Sequence, residues 1–568
     1  MELLDKLFDA APLLALFITV GLGYVLGKFK VGRFVLGGVA GTLIVGVLVG
    51  QLGIKLDPSI KTVFFALFIY AVGYQGGPQF FQSINKQTIN QLVSAFVMCF
   101  VGLLCVLAAA WIFDLDRGTA AGLAAGGLTQ SAILGTAGDA ISRLDVSAEQ
   151  IKTMQTNVAV GYAVTYIFGS LGPIIIATWF IPMVMGWDIR AEAVKLAQSI
   201  SGGRPELDPG QFAAIKRVAT RVYKVARSSK ASGKTVSAVE ANMSKSKIEA
   251  IFRDGKEVDV TDETKIKSGD IIAVTGLISE ISKTEGYLGT EVQAPPEFQV
   301  VEEIREIILT NKQLAGHTIH EINEHVSTDL RRGIYAIRIR RAGHDLPLLP
   351  GLQIHKGDEL HLVGTPKDLD RVEAKIGYKI PAGAITDFIF FGFGMALGIL
   401  VGMGVVKLAG VPVTLGTGGG CLLSGLLFGW LRSTHPRFAA LPTGASNFLR
   451  DFGLAVFVAV VGLTAGPQAF VTIQKFGLTL LLLGVAVTII PQIVVFYFSY
   501  YVLKIRNPIE ALACLVGGRS ANPGFAALLS KAGNATPVPV FTVTYAVANV
   551  FLTLWGPLIV GIITKNAG

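Results

Sequence analysis

Arg519 stands inside an otherwise small and apolar run, ALACLVGGRSANPGFAALLSKAGNATP, from Ala511 to Pro537. An arginine centred in hydrocarbon costs about 2.5–3.5 kcal/mol on insertion scales, so one retained there points to a partner or a ligand. Its guanidinium is a planar fork of donors suited to a carboxylate, and the neighbouring Ser520 and Asn522 add neutral donors. Gly517, Gly518 and Pro523 interrupt a continuous helix, which predicts free backbone N–H groups and a helix N-terminus aimed at the same anion. The segment reads as half of an anion-binding site. The competing reading is an arginine paired internally, with carbonyls or with an acid such as Asp139 or Asp451.

A second stretch answers the first. Residues 119–139, TAAGLAAGGLTQSAILGTAGD, hold GGLTQS at 126–131, which aligns with GGRSAN at 517–522. Leu128 takes the place of the arginine, and Gly127, Thr129, Gln130 and Ser131 become candidate substrate contacts. They either meet a polar part of the substrate or only pack against protein. Both segments, 119–139 and 511–531, are too polar for lipid and read as re-entrant hairpins or broken helices shielded by protein.

These segments need a scaffold, and the rest of the chain describes one. Of its 568 residues 51% are hydrophobic and only 16% charged, with a mean hydropathy of +0.57, so the chain is read as a polytopic membrane protein. The net charge of +9 is assigned to basic residues on the cytoplasmic side rather than to nucleic-acid binding. The N-terminus reads as an uncleaved first helix. Cys99, Cys105, Cys421 and Cys514 sit in apolar runs without ligand spacing and read as small hydrophobes.

Apolar runs predict spans at 11–27, 34–54, 62–77, 91–113 and 156–185, then at 384–406, 411–431, 452–470, 476–503 and 540–563. The two sets match in order. GTLIVGVLVGQL at 41–52 aligns with GCLLSGLLFGWL at 420–431, and VGYQGGPQFF at 72–81 with VGLTAGPQAF at 461–470. The fold class expected is therefore an α-helical membrane protein of two inverted repeats, each of five spans plus a re-entrant hairpin, around a soluble α+β insert. Positive residues such as Lys28, Lys30, Arg33, Arg432 and Arg506 place the insert on the cytoplasmic side. Pro78 and Gln79, like Pro467 and Gln468, are expected to end helices and to serve, with Pro523, as supporting or hinge residues. Tyr162, Asn157, Tyr545 and Asn549 are expected to make interhelical hydrogen bonds.

From 190 to 378 charged residues alternate with short β-branched runs, and this insert is itself duplicated: KIKSGDIIAVTG at 265–276 matches QIHKGDELHLVG at 353–364. The expected domains are 1–186, 187–294, 295–380 and 381–568. Six of the seven histidines lie in 317–361 without a compact ligand pattern, so no metal or other cofactor is expected. No nucleophile–base arrangement points to an enzyme.

The paired GPQ motifs, the GGLTQS and GGRSAN segments and the duplicated SGDIIAVTG and KGDELHLVG turns closely resemble the aspartate:alanine exchanger family of bacterial secondary transporters. That resemblance implies an inner-membrane homodimeric antiporter for amino acids or related carboxylates, working by alternating access, with an insert of the regulator-of-conductance C-terminal type. Two opposed hairpins suit an elevator-like motion. Because such inserts also serve potassium systems, the rival is a regulated ion channel, although no TVGYG-like filter is present. A membrane-anchored sensor is a third reading, disfavoured by the duplicated broken segments.

Overall fold

The computed structural model describes the chain except residues 1–6, 9, 32–33, 36, 83–87, 202–217, 244–245, 278–280, 282–284, 295–300, 326–332, 342–343, 380–384, 409–410, 436–437 and 566–568. It forms two compact units, one of 1–196 with 383–568 and one of 197–382.

The first unit is helical and holds two series of elements in the same order. The first series is α1 (Pro12–Gly27), a hairpin of β1 (Lys30–Val31) and β2 (Phe34–Val35), α2 (Gly38–Gly50), α3 (Pro58–Gln82) and α4 (Ile89–Ile112). It continues with α5 (Arg117–Gly127), α6 (Ala132–Ile141) and α7 (Ala148–Met185), the last carrying one π-helical turn at Ile176–Phe180. Helix α8 (Ile189–Ser201) follows.

The second unit is α+β and repeats itself. Its first copy contains β3 (Val218–Val225), α9 (Val236–Glu240), β4 (Lys247–Arg253), β5 (Lys256–Val258), β6 (Ile271–Leu277), α10 (Glu285–Leu288) and β7 (Gly289–Glu291). The second contains β8 (Glu303–Leu309), α11 (Ile319–His325), β9 (Tyr335–Arg341), β10 (His344–Asp345), β11 (Glu359–Gly364), α12 (Pro366–Ile376) and β12 (Gly377–Lys379). Both sheets are antiparallel and have one strand order, β5-β4-β6-β3-β7 and β10-β9-β11-β8-β12. In each, a glycine at positive φ, Gly269 or Gly357, makes the tight turn that the Gly-Asp pattern predicts. The aspartate after it is buried and held by an arginine: Arg253 on Asp270 at 2.8 Å, Arg341 on Asp358 at 2.7 Å. Lys247 of the first copy bonds both carboxylate oxygens of Asp368 in the second, which ties the copies together.

The helical unit resumes with α13 (Phe388–Met403), the hairpin β13 (Val405–Leu408) and β14 (Val411–Thr414), and α14 (Gly416–Thr434). Then come α15 (Thr443–Tyr497), α16 (Pro508–Gly518), α17 (Asn522–Ala532) and α18 (Val538–Ile562). The sequence expects two spans where α15 runs on helically for 55 residues. It is not straight. Gln75 bonds Asn447 and Asn90 bonds Leu503. The chain from Gln75 to Asn90 reaches at most about 54 Å, whereas a straight helix joining their partners would measure about 84 Å. Helix α15 is strongly bent, and its apolar stretches Thr443–Pro467 and Gly477–Val502 are each long and apolar enough to cross a membrane. The β-hairpins after α1 and α13 are not foreseen from the apolar runs. Among the described residues five helical stretches are long and apolar enough to cross a membrane: Ile89–Ile112, Ala148–Met185, the two of α15, and Val538–Ile562.

Pro78 and Pro467 do not end helices as expected; each lies inside one. A proline removes the N–H that would bond the carbonyl four residues back. Those carbonyls, of Tyr74 and Leu463, face the backbone of Gly429 and Gly50, where a Cβ would collide with them. Glycine in the neighbouring helix lets a Cα–H approach the freed oxygen, so the helix continues. The side chains of Gln79 and Gln468 lie outside the described residues.

Candidate functional site

The two breaks, between α5 and α6 and between α16 and α17, have one geometry. Thr129 and Ser520 both sit at positive φ, 54° and 55°. The N–H of Thr129 returns to Gly126 O and that of Gln130 to Ala125 O; likewise Ser520 N–H bonds Gly517 O and Ala521 N–H bonds Val516 O. Both are Schellman closures built on a non-glycine residue. The backbone N–H groups expected to be free for an anion are thus partly turned back into their own helices.

A Schellman closure leaves the last helical carbonyl without an intrahelical donor. At the first break that carbonyl is Gly127 O, and Arg519 takes it, with Nη2 at 2.5 Å. Thr488 Oγ1 donates to the same oxygen at 2.9 Å. Nη1 donates to Thr488 O at 3.2 Å and more weakly to Val487 O at 3.5 Å. Val487 is four residues before Pro491, so its carbonyl lacks the usual helical donor. Arg519 is 1% exposed. Among the described residues no carboxylate lies within 4 Å of it: its partners are carbonyls, not Asp139 or Asp451. Asp451 pairs instead with Arg450 at 2.8 Å.

Asn549 joins the breaks, because its Oδ1 accepts from Gln130 Nε2 at 3.1 Å and from Ser520 Oγ at 3.2 Å. Ser131 shares a hydrogen bond with Tyr162 at 2.8 Å, Asn522 donates to Tyr545 at 3.2 Å, and Thr472 donates to Asn157 at 2.9 Å. The four expected interhelical partners thus bond, three of them to candidate site residues. Thr129 turns its hydroxyl to Leu128 O. Gly517 and Gly518 pack against α18 and α4, and Gly127 against Val487; Pro523 opens α17. Pro78 and Pro467 belong instead to the α3–α14 and the α2–α15 packing, respectively.

Thr488, Pro491 and Gln492 escape the sequence reading, which treats 476–503 as a plain span. Gln492 Nε2 donates to Thr488 O at 2.7 Å. The available signal was a proline flanked by polar residues within that apolar run, VAVTIIPQIVV.

Residues 15–183 and 390–561 match the family described as the Predicted Permease Membrane Region of the aspartate–alanine exchangers, and 221–289 and 304–377 each match the TrkA-C domain. The chain belongs to the aspartate–alanine exchanger permease family. Relatives of this exchanger-family chain extend over its whole length. A protein of Francisella tularensis is 53% identical across 97% of both chains, and one of Zymomonas mobilis 44% identical across 99% of both. A third, of Bradyrhizobium diazoefficiens, is 36% identical across 99% of both. Each is named an uncharacterized transporter. No solved structure matches. The exchanger-family chain is a multi-pass membrane transporter with two TrkA-C domains in its insert.

Proposed function

We propose that this transporter is a secondary antiporter that exchanges aspartate, or a related amino acid or dicarboxylate, for alanine or another carboxylate by alternating access. The observation that carries this reading is Arg519, buried and held only by carbonyl oxygens among the described residues. Carbonyls solvate a guanidinium but leave its net charge, and a carboxylate restores neutrality with a bidentate fit. Crossing without an anion would carry a desolvated charge, which disfavours return of the empty carrier and favours exchange over uniport.

The repeats 1–186 and 381–568 are inverted, with 119–139 and 511–531 as opposed re-entrant hairpins and the insert, 187–294 and 295–380, on the cytoplasmic side. Support comes from equivalent elements running antiparallel: Gln75 of α3 meets Asn447 of α15 while Phe64 meets Phe452, and Ser94 of α4 meets Ser499. The hairpins then move in an elevator-like manner within a homodimer in the bacterial inner membrane. Arg519, Ser520, Asn522 and Gln130 supply the substrate contacts, with Thr129 and Ser131 beside them.

The test is counterflow of labelled aspartate in proteoliposomes. Arg519→Lys keeps the charge but loses the fork, and exchange is expected to fall at least about tenfold. Unchanged exchange would sink the carboxylate clamp.

A further inference from the structure

Gln492 is fully buried, at 0% exposure, on the second apolar stretch of α15. Its amide orientation is fixed by chemistry. Thr488 O can only accept, so the NH2 group must face it, at 2.7 Å, and Oε1 must face the other way. No donor reaches that Oε1 among the described residues. Arg519 has the complementary vacancy, because its Nε is buried and no acceptor reaches it among the described residues. The two side chains are one oxygen apart, since Arg519 Nη1 donates to the same Thr488 carbonyl at 3.2 Å.

A buried amide oxygen left without a donor is costly, so a site that keeps one has a use for it. Helix α7 packs directly on this turn of α15: a Cβ on Gly172 would collide with the Thr488 methyl and would stand in ordinary contact, 3.5 Å, with Gln492 Nε2.

We propose that Gln492 Oε1 accepts the ammonium group of an α-amino acid whose carboxylate binds Arg519, making Gln492 the residue that selects zwitterionic amino acids over plain carboxylates. This rests on the carboxylate-clamp reading of Arg519. In an α-amino acid the ammonium and carboxylate hang on one carbon, so their receptors must be close neighbours, as a free acceptor and a free donor around one carbonyl are. The carboxylate takes Nε and one further N–H of the guanidinium, while Thr488 O, bonded to both side chains, sets their spacing. A dicarboxylate without an amine leaves Gln492 Oε1 unpaired and forfeits a charge-assisted hydrogen bond.

The experiment is counterflow in proteoliposomes with L-aspartate and L-alanine against their des-amino counterparts, succinate and propionate. Wild type is expected to prefer each amino acid by about tenfold or more. Gln492→Met, which keeps the volume and removes the oxygen, is expected to raise the KM for aspartate about tenfold while leaving that for succinate within about twofold. Arg519→Lys is expected to weaken both substrates alike. If Gln492→Met leaves the aspartate-to-succinate ratio unchanged while Arg519→Lys still weakens both, the ammonium site is overturned and the clamp stands. If Arg519→Lys changes neither, or wild type exchanges neither amino acid, both are overturned. Should Gln492→Met fail to fold, Gln492→Asn, which withdraws the oxygen by one methylene, must lower the same ratio.

Discussion

The helical unit and the soluble unit solve duplication in the same way. In each, two copies keep the same irregular backbone, and an ionisable side chain appears at that irregularity in only one. Thr129 and Ser520 share a positive φ within a degree of each other, yet the preceding residue is Leu128 in one break and Arg519 in the other. In the sheets a bulge recurs: Glu249 falls between the paired Ile248 and Ala250 of β4, and Ile337 between Ala336 and Arg338 of β9. Geometry is preserved by the repeat and chemistry is not. Leu128 rests on Gly102 and needs nothing further, whereas Arg519 draws on the orphan carbonyl of the opposite break.

The largest effect follows from abolishing that difference. Arg519→Leu makes the two breaks alike, and counterflow of aspartate is expected to fall by at least about 100-fold, the loss of two hydrogen bonds to a charged group. The fold should survive, because Gly127 O keeps its bond from Thr488. Adding Leu128→Arg to that variant should not restore exchange, since an arginine there meets α4 at Gly102 rather than carbonyls freed near Pro491. Restored exchange in the double variant would show that the breaks are interchangeable.

The sequence made the positions of both breaks legible because glycine, proline and one charge stand out against an apolar background. The repeat order was legible for the same reason, through matched glycines that mark close helix contacts. The partner of Arg519 was not, because its acceptors are backbone carbonyls, which every residue has; only Pro491 hinted at which would be free. Pro78 and Pro467 misled for a related reason. The compensation that lets a helix pass through them belongs to Gly429 and Gly50, more than three hundred residues away in sequence. In the insert the β-branched runs lay where β3, β6 and β9 form, but nothing local marked Glu249 as a bulge that buries its carboxyl.

Burial in the insert gives the second effect. The Glu249 side chain is 4% exposed and its Oε1 has no hydrogen-bond partner among the described residues. Desolvation pushes its carboxyl up to about 7, opposed by Lys247, with Asp368, Glu240 and Glu302 adding to the rise. A raised carboxyl favours the folded state while protonated. The folded form holds more protons than the unfolded one between about pH 4.5 and 7, so stability falls as pH rises through that window, by up to about 3 kcal/mol. In the intact protein, hydrogen exchange of Lys247–Arg253, corrected for intrinsic pH dependence, should quicken from pH 5 to pH 7. Glu249→Gln should flatten that dependence. Ile337 is 43% exposed, so Ile337→Glu should add none; a comparable pH dependence from Ile337→Glu would remove the distinction between the two bulges.

The smallest effect tests whether the shared backbone is equally strained in the two breaks. An L-residue in the left-handed region costs about 1–2 kcal/mol, which glycine avoids at the expense of about 0.5–1 kcal/mol of entropy. Thr129 spends its hydroxyl on the adjacent Leu128 carbonyl, so Thr129→Gly should leave the melting temperature in detergent unchanged or slightly raised. Ser520 donates to Asn549, the residue that joins the breaks, so Ser520→Gly removes that bond along with the strain and should be less stable than Thr129→Gly by about 1 kcal/mol, with a correspondingly lower melting temperature. The Asn549 oxygen still accepts from Gln130, which limits the loss. Equal melting shifts in the two glycine variants would mean that the Ser520–Asn549 bond contributes nothing to holding the breaks together, leaving Gln130 to make that link alone.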